Sequence, residues 1–98
     1  MIKVYQLNSE TLDKIYPQSP FQYSKDDKKL FDIDEHLNSY VHVANIDCTS
    51  LNDAFQIGNI GPNSKIERLK EMRSISVGDI LQLGGYKFIV DGMGFHRI

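Results

Sequence analysis

The chain has 98 residues, 41% hydrophobic and 24% charged, and carries a formal net charge of −2 at pH 7. That is the size and composition of one globular domain that buries a core without disulfides or a metal, and the charge excludes both a generic nucleic-acid binder and a strongly acidic nucleic-acid mimic. Cys48 is the only cysteine, so neither an intrachain disulfide nor a cysteine-built zinc site is available.

No apolar run reaches bilayer-spanning length, and the start M-I-K-V-Y-Q-L-N lacks the features of a signal peptide. The expected location is therefore the cytoplasm. Charge is unevenly spread: residues 1 to 53 hold five lysines against nine acids, and residues 54 to 98 hold six bases against four acids. The resulting surface is modestly dipolar and suited to steering a partner.

Ile2 to Leu7 combines alternation with β-branched and aromatic residues and predicts a strand. Asn8 or Ser9 then stands at an N-cap position, with Glu10 and Asp13 in the first turn and Leu12, Ile15 and Tyr16 on one face. Pro17 ends that short helix. Pro17 to Pro20 reads as a loop, followed by Phe21 and Tyr23 as hydrophobic anchors. Leu30, Ile33 and Leu37 fit a helical stripe, although Phe31 and Ile33 also fit a short strand. Asp32, Asp34, Glu35 and His36 crowd together without EF-hand or H-x-x-x-H spacing, so a solvated acidic face is expected there and no metal.

Tyr40 to Ile46 predicts a central strand, with Tyr40, His42, Ala44 and Ile46 on one side and Val41 and Val43 on the other. Ser50 with Asp53 three residues on forms a near-capping box ahead of the stripe Leu51, Ala54 and Phe55. Phe55 is expected to dock this helix on the sheet and Gly58 to terminate it. N-I-G-P-N-S is a loop. Ser64 and Glu67 make a second capping box, and Ile66, Leu69 and Met72 at spacing three predict a short helix or turn over 65–72. Its exposed side presents the only basic cluster, Lys65, Arg68, Lys70 and Arg73.

The last quarter reads as a hairpin. Ile80 to Leu83 and Tyr86 to Val90 flank a Gly84-Gly85 turn, and Tyr86, Phe88 and Val90 share one face. Core packing is the expected fate of the Tyr86 and Phe88 rings. Gly78 tolerates a left-handed backbone, and the Asp79 and Asp91 carboxylates are expected to cap turns through backbone hydrogen bonds. D-G-M-G-F then reverses the chain and returns Phe95 and Ile98 toward the core.

No Walker-type loop, G-x-S-x-G, C-x-x-C or H-E-x-x-H sequence is present, so no catalytic residue and no cofactor are assigned. The expected fold is α+β: a small twisted antiparallel sheet, open or curled into a partial barrel, with two or three short helices on one face.

R-S-I-S-V-G-D-I followed by Y-K-F-I-V-D-G-M-G-F resembles the C-terminal signature of YodL-like domains, small domains of bacteria, phages and other mobile elements. Ser74, Ser76, Val77, Gly78, Asp79, Asp91, Gly94 and Phe95 match it, and Gly92 stands where the family usually has serine. The resemblance covers about residues 40–98. It implies a non-enzymatic accessory protein that binds a host protein, with anti-defence inhibition as the role. Interface preferences for Tyr, Phe and Arg then single out Tyr16, Phe21, Tyr23 and the 65–73 basic segment. A nucleic-acid module built on that segment is the alternative. A small-ligand protein or enzyme, which would need a pocket joining His42, Cys48 or Asp79, is the third reading.

Overall fold

The computed structural model describes residues 1–8, 10 and 11, 37–92 and 94–98. Six strands form one antiparallel sheet: β1 (Ile2–Leu7), β2 (Tyr40–Ile46), β3 (Ile66–Arg68), β4 (Ile80–Leu83), β5 (Tyr86–Asp91) and β6 (Gly94–Arg97). Their order is β3-β2-β1-β4-β5-β6, which places β3 and β6 at the two ends of the sheet among the described residues. The α+β expectation holds in this coarse form. β3 and β6 are additions to the predicted strands, and the described residues contain one complete α-helix, α1 (Leu51–Ile60), beside two 3-10 turns.

β1 is buried because its neighbours lie on both sides. Ile2, Val4 and Gln6 point to the face that α1 covers, where Ile2, Val4, Ala44, Ile46, Leu81 and Val90 meet Ala54 and Ile57 of the helix. The opposite face also carries closed-off aliphatics, since Ile80 and Ile89 are buried outside that cluster. On β2 the predicted alternation fails at one point. Val4 pairs with Ala44 and Tyr5 with His42, so Val43 is an extra, bulged residue. Ala44 and Ile46 therefore share the core face with Val41, and Tyr40 and His42 take the other. The Val43 carbonyl accepts N–H bonds from Leu69 (2.8 Å) and Lys70 (3.1 Å).

The Ser50 hydroxyl caps α1 as predicted, accepting the Asp53 N–H at 3.1 Å. Its docking residues differ from the expected one: Ala54 and Ile57 are buried, while Phe55 is 38% exposed at the helix margin. Nor does Gly58 end the helix. The terminator is Gly61, at φ 108°, whose N–H bonds to the Ile57 carbonyl at 2.8 Å. Gly58 instead faces Ile75, whose Cδ1 would lie 2.3 Å from any Cβ placed there.

The helix expected over 65–72 is absent. A 3-10 turn at Asn63–Lys65 leads into β3, and Glu67 uses its carboxylate to accept from Asn45 Nδ2 (2.7 Å) on β2 rather than to close a capping box. The open edge of β2 offers three residues of ladder pairing, including Ile46 against Ile66, and this outweighs a local capping signal.

Near the N-terminus, Asn8 Oδ1 accepts the Thr11 N–H at 2.8 Å, which identifies Asn8 as the cap, and Glu10 and Thr11 are helical. The remainder of that predicted helix, the loop of prolines and the 24–36 acidic stretch lie outside the described residues. Among the described residues, no helix is long and apolar enough to cross a membrane.

Candidate functional site

The S-V-G-D turn is the polar centre of the molecule. Gly78, at φ 95°, allows the reversal into β4. Asp79, 6% exposed, caps the turn by accepting the Ser76 N–H at 3.0 Å through Oδ2, as expected. The same oxygen accepts from Gln6 Nε2 at 3.0 Å. Gln6 also donates to the Arg73 carbonyl (3.0 Å) and accepts the Arg73 N–H through Oε1 (3.0 Å). Arg73 Nη2 reaches the Leu7 carbonyl at 2.9 Å, and the Tyr40 hydroxyl donates to the Gly78 carbonyl. The loop from Arg73 to Asp79 is thus clasped to β1. Among the described residues, every buried side-chain polar atom has a partner.

Burial pushes the Asp79 carboxyl up to about 6, a rise that the Ser76 N–H, the Gln6 amide and Arg73 only partly offset. Perturbed carboxyls mark functional sites often enough to be considered for one here. Yet Asp79 is sequestered, and the Oδ2 lone pairs are spent on Ser76 and Gln6. Its geometry is that of a clasp.

The other candidates for chemistry are likewise engaged. His42 Nε2 lies 2.7 Å from Asn45 Oδ1, and the ring stacks on Tyr5 with centroids 5.1 Å apart. Burial raises the Cys48 thiol above its ordinary value, and the Asp53 and Asp47 carboxylates add to the rise, which disfavours the nucleophilic thiolate. Cys48 lines a polar depression of about 430 Å³ with Asp47, Asp53 and Lys65. His42, Cys48 and Asp79 do not line a common pocket among those described. Asp91 pairs its carboxylate with His96 Nε2 across the β5–β6 hairpin. The Gly84-Gly85 turn forms as expected, with Gly84 at φ 60° and Gly85 beside it, and Gly94 enters β6 at φ 139°.

The four cations of the basic segment border three adjoining depressions. Arg68 and Arg73 border a depression beside the end of α1, Lys65 borders the Cys48 depression, and Lys70 borders a third near Leu7. Arg68 also donates to Asn63 Oδ1 at 3.2 Å. Tyr16, Phe21 and Tyr23 lie outside the described residues.

One surface emerges that the sequence reading overlooked. On the α1 side of the sheet, beyond the helix toward β6, Tyr86, Phe88 and Phe95 share one sheet face, with Phe55 of the helix at its margin. Phe55 and Phe95 meet edge to face with centroids 6.4 Å apart. Arg97 sits with its guanidinium 5.2 Å above the Tyr86 ring, and Tyr86 is 58% exposed instead of packed in the core. Phe95 does return to the core margin, whereas Ile98 stays 44% exposed. Asn52, Phe55, Val90, Asp91, Gly94 and Phe95 enclose a shallow apolar depression of about 230 Å³. Tyr86 is left out because it directly follows the hairpin turn, where a strand overhangs its neighbours.

Comparison with protein families, with curated proteins and with solved structures found no match to this chain.

Proposed function

We propose that this chain is a non-enzymatic binding module that acts by docking onto another protein. The observation that carries this reading is the aromatic shelf of Phe55, Phe88, Phe95 and Tyr86 with Arg97 at its end, the residue types that dominate protein interfaces. Commitment of His42, Asp79 and Cys48 to structural contacts supports it over a catalytic role. The net charge of −2 supports it over a nucleic-acid module. The S-V-G-D and V-D-x-x-G-F motifs, through their resemblance to YodL-like domains, make a phage or mobile-element accessory role the specific form of the proposal. A component of host defence is then the first partner to seek.

The test is capture by the tagged chain from bacterial lysate, with nuclease-treated and untreated halves compared by mass spectrometry. A stoichiometric protein retained after nuclease, and lost with Tyr86→Ala and Phe95→Ala, is the expected result. Capture that disappears with nuclease and falls steeply with salt would transfer the assignment to nucleic acid.

A further inference from the structure

We propose that β6 is a docking edge for an extended peptide segment of a partner protein, one that carries an apolar side chain and, two positions along, an acidic one. The inference rests on the protein-binding reading above and specifies how that binding is made. It starts from the register of the last hairpin. Phe88 pairs with Arg97, Ile89 with His96, Val90 with Phe95 and Asp91 with Gly94. The Ile98 N–H donates to the Lys87 carbonyl at 2.9 Å. In an antiparallel ladder, opposed pairs alternate between those that exchange hydrogen bonds and those that do not. Lys87/Ile98, Ile89/His96 and Asp91/Gly94 are therefore the bonded pairs, and the N–H and C=O groups of Phe95 and Arg97 point away from β5. The Val90 backbone agrees, because its N–H and carbonyl serve Asp79 and Gly78 on the other side, at 2.9 and 2.8 Å.

Among the described residues, no strand pairs with β6 on that outer side. Edge strands are ordinarily blunted by proline, a bulge or inward charge, and G-F-H-R carries only one fixed charge, at its end. Among the described residues, nothing pairs with these two N–H donors and two carbonyls, which stand in strand geometry. The side chains at the same two positions lie on the α1 face and define what an added strand would carry. Beside Phe95 is the depression of about 230 Å³ walled by Phe55 and Val90. This is below the roughly 300–1,000 Å³ of sites that enclose a free small molecule, and it suits a single apolar side chain. Two residues along, about 7 Å away, stands Arg97. Its guanidinium is laid over Tyr86, and it has no carboxylate partner among the described residues. An added strand in register would place an apolar residue at the first point and an acid two positions away at the second. Backbone pairing supplies the attraction, and these two points select the sequence.

The probe is a fluorescein-labelled ten-residue peptide whose odd positions alternate leucine and glutamate, with threonine at every even position, so that leucine and glutamate share one strand face two residues apart; it is titrated with the full chain and followed by anisotropy. Saturable binding below about 1 mM is expected. Methylation of two alternate peptide amides in the probe, which removes donors without altering side chains, should weaken it about tenfold or more. The same probe with lysine in place of glutamate should not bind, and Arg97→Glu should invert that preference. No saturation, equal binding of the methylated probe, or indifference to probe charge each overturns the proposal. A chain that already dimerises through β6, seen by sedimentation and abolished by Arg97→Pro, would overturn it in favour of self-pairing. A lysate protein captured equally by the wild type and by Arg97→Pro overturns the edge while leaving the protein-binding reading intact.

Discussion

Replacing Asp79 by asparagine should stabilise the protein, and increasingly so as pH rises. The carboxyl has a pKa of about 6 in the fold against an ordinary 3.8, with burial the main cause. The folded chain therefore holds this proton over a range in which the unfolded chain has released it. Stability from this group is fully present below pH 3.8 and is lost as pH climbs through about 6. The difference amounts to about 3 kcal/mol once the group is fully ionised, of which about 1 kcal/mol is lost between pH 5 and pH 8. Asparagine keeps an oxygen able to accept from Ser76 and Gln6 and carries no charge to desolvate. Urea unfolding of the wild type and Asp79→Asn at pH 5, 6, 7 and 8 gives two stability curves. The gap between them should widen by about 1 kcal/mol across that range, whatever constant offset the amide introduces. A gap that stays constant with pH would refute the reasoning. It would mean that Gln6 and the Ser76 N–H hold the carboxylate ionised despite its burial.

Gly58→Ala should destabilise in spite of alanine's better helix propensity, because the added methyl meets Ile75, itself 3% exposed, at 2.3 Å. About 1 kcal/mol of propensity gain opposes an overpacking cost of about 1–3 kcal/mol, and a lowered thermal midpoint checks the sign. Ser50→Ala removes the Asp53 N–H acceptor at the start of α1 and should cost about 1 kcal/mol in urea unfolding, with the native circular dichroism retained.

Local chemistry made the C-terminal hairpin and the start of α1 readable, since Gly84-Gly85 and Ser50 act on residues within three positions of themselves. What failed was decided by distant neighbours. Gly58 looks like a helix stop in sequence, but its smallness serves Ile75, a contact made only after the loop folds over α1. Ser64 and Glu67 spell a capping box, yet the chain there meets the unpaired edge of β2 and extends. Asp79 was recognised as a turn cap, whereas Gln6, 73 residues away, offers no periodicity that would connect the two. The aromatic shelf was missed for a related reason. Phe55 and Tyr86 occupy apolar positions of a helix and a strand, and only the width of the sheet relative to a ten-residue helix leaves them uncovered.

The position of β1 has a consequence for how the molecule is made. β1, the first of the six strands in chain order, lies between β2 and β4, so one of its sides must wait for residue 40 and the other for residue 80. The Gln6 amide waits equally long for Arg73 and Asp79. Contacts of such wide sequence separation give a high contact order, which slows folding. A nascent chain emerging at about 5–20 residues per second leaves that strand half-paired for several seconds. Enclosure of β1 therefore waits on the C-terminal third of the sequence, which must supply β4 before the β3-β2-β1 half of the sheet can join the β4-β5-β6 half.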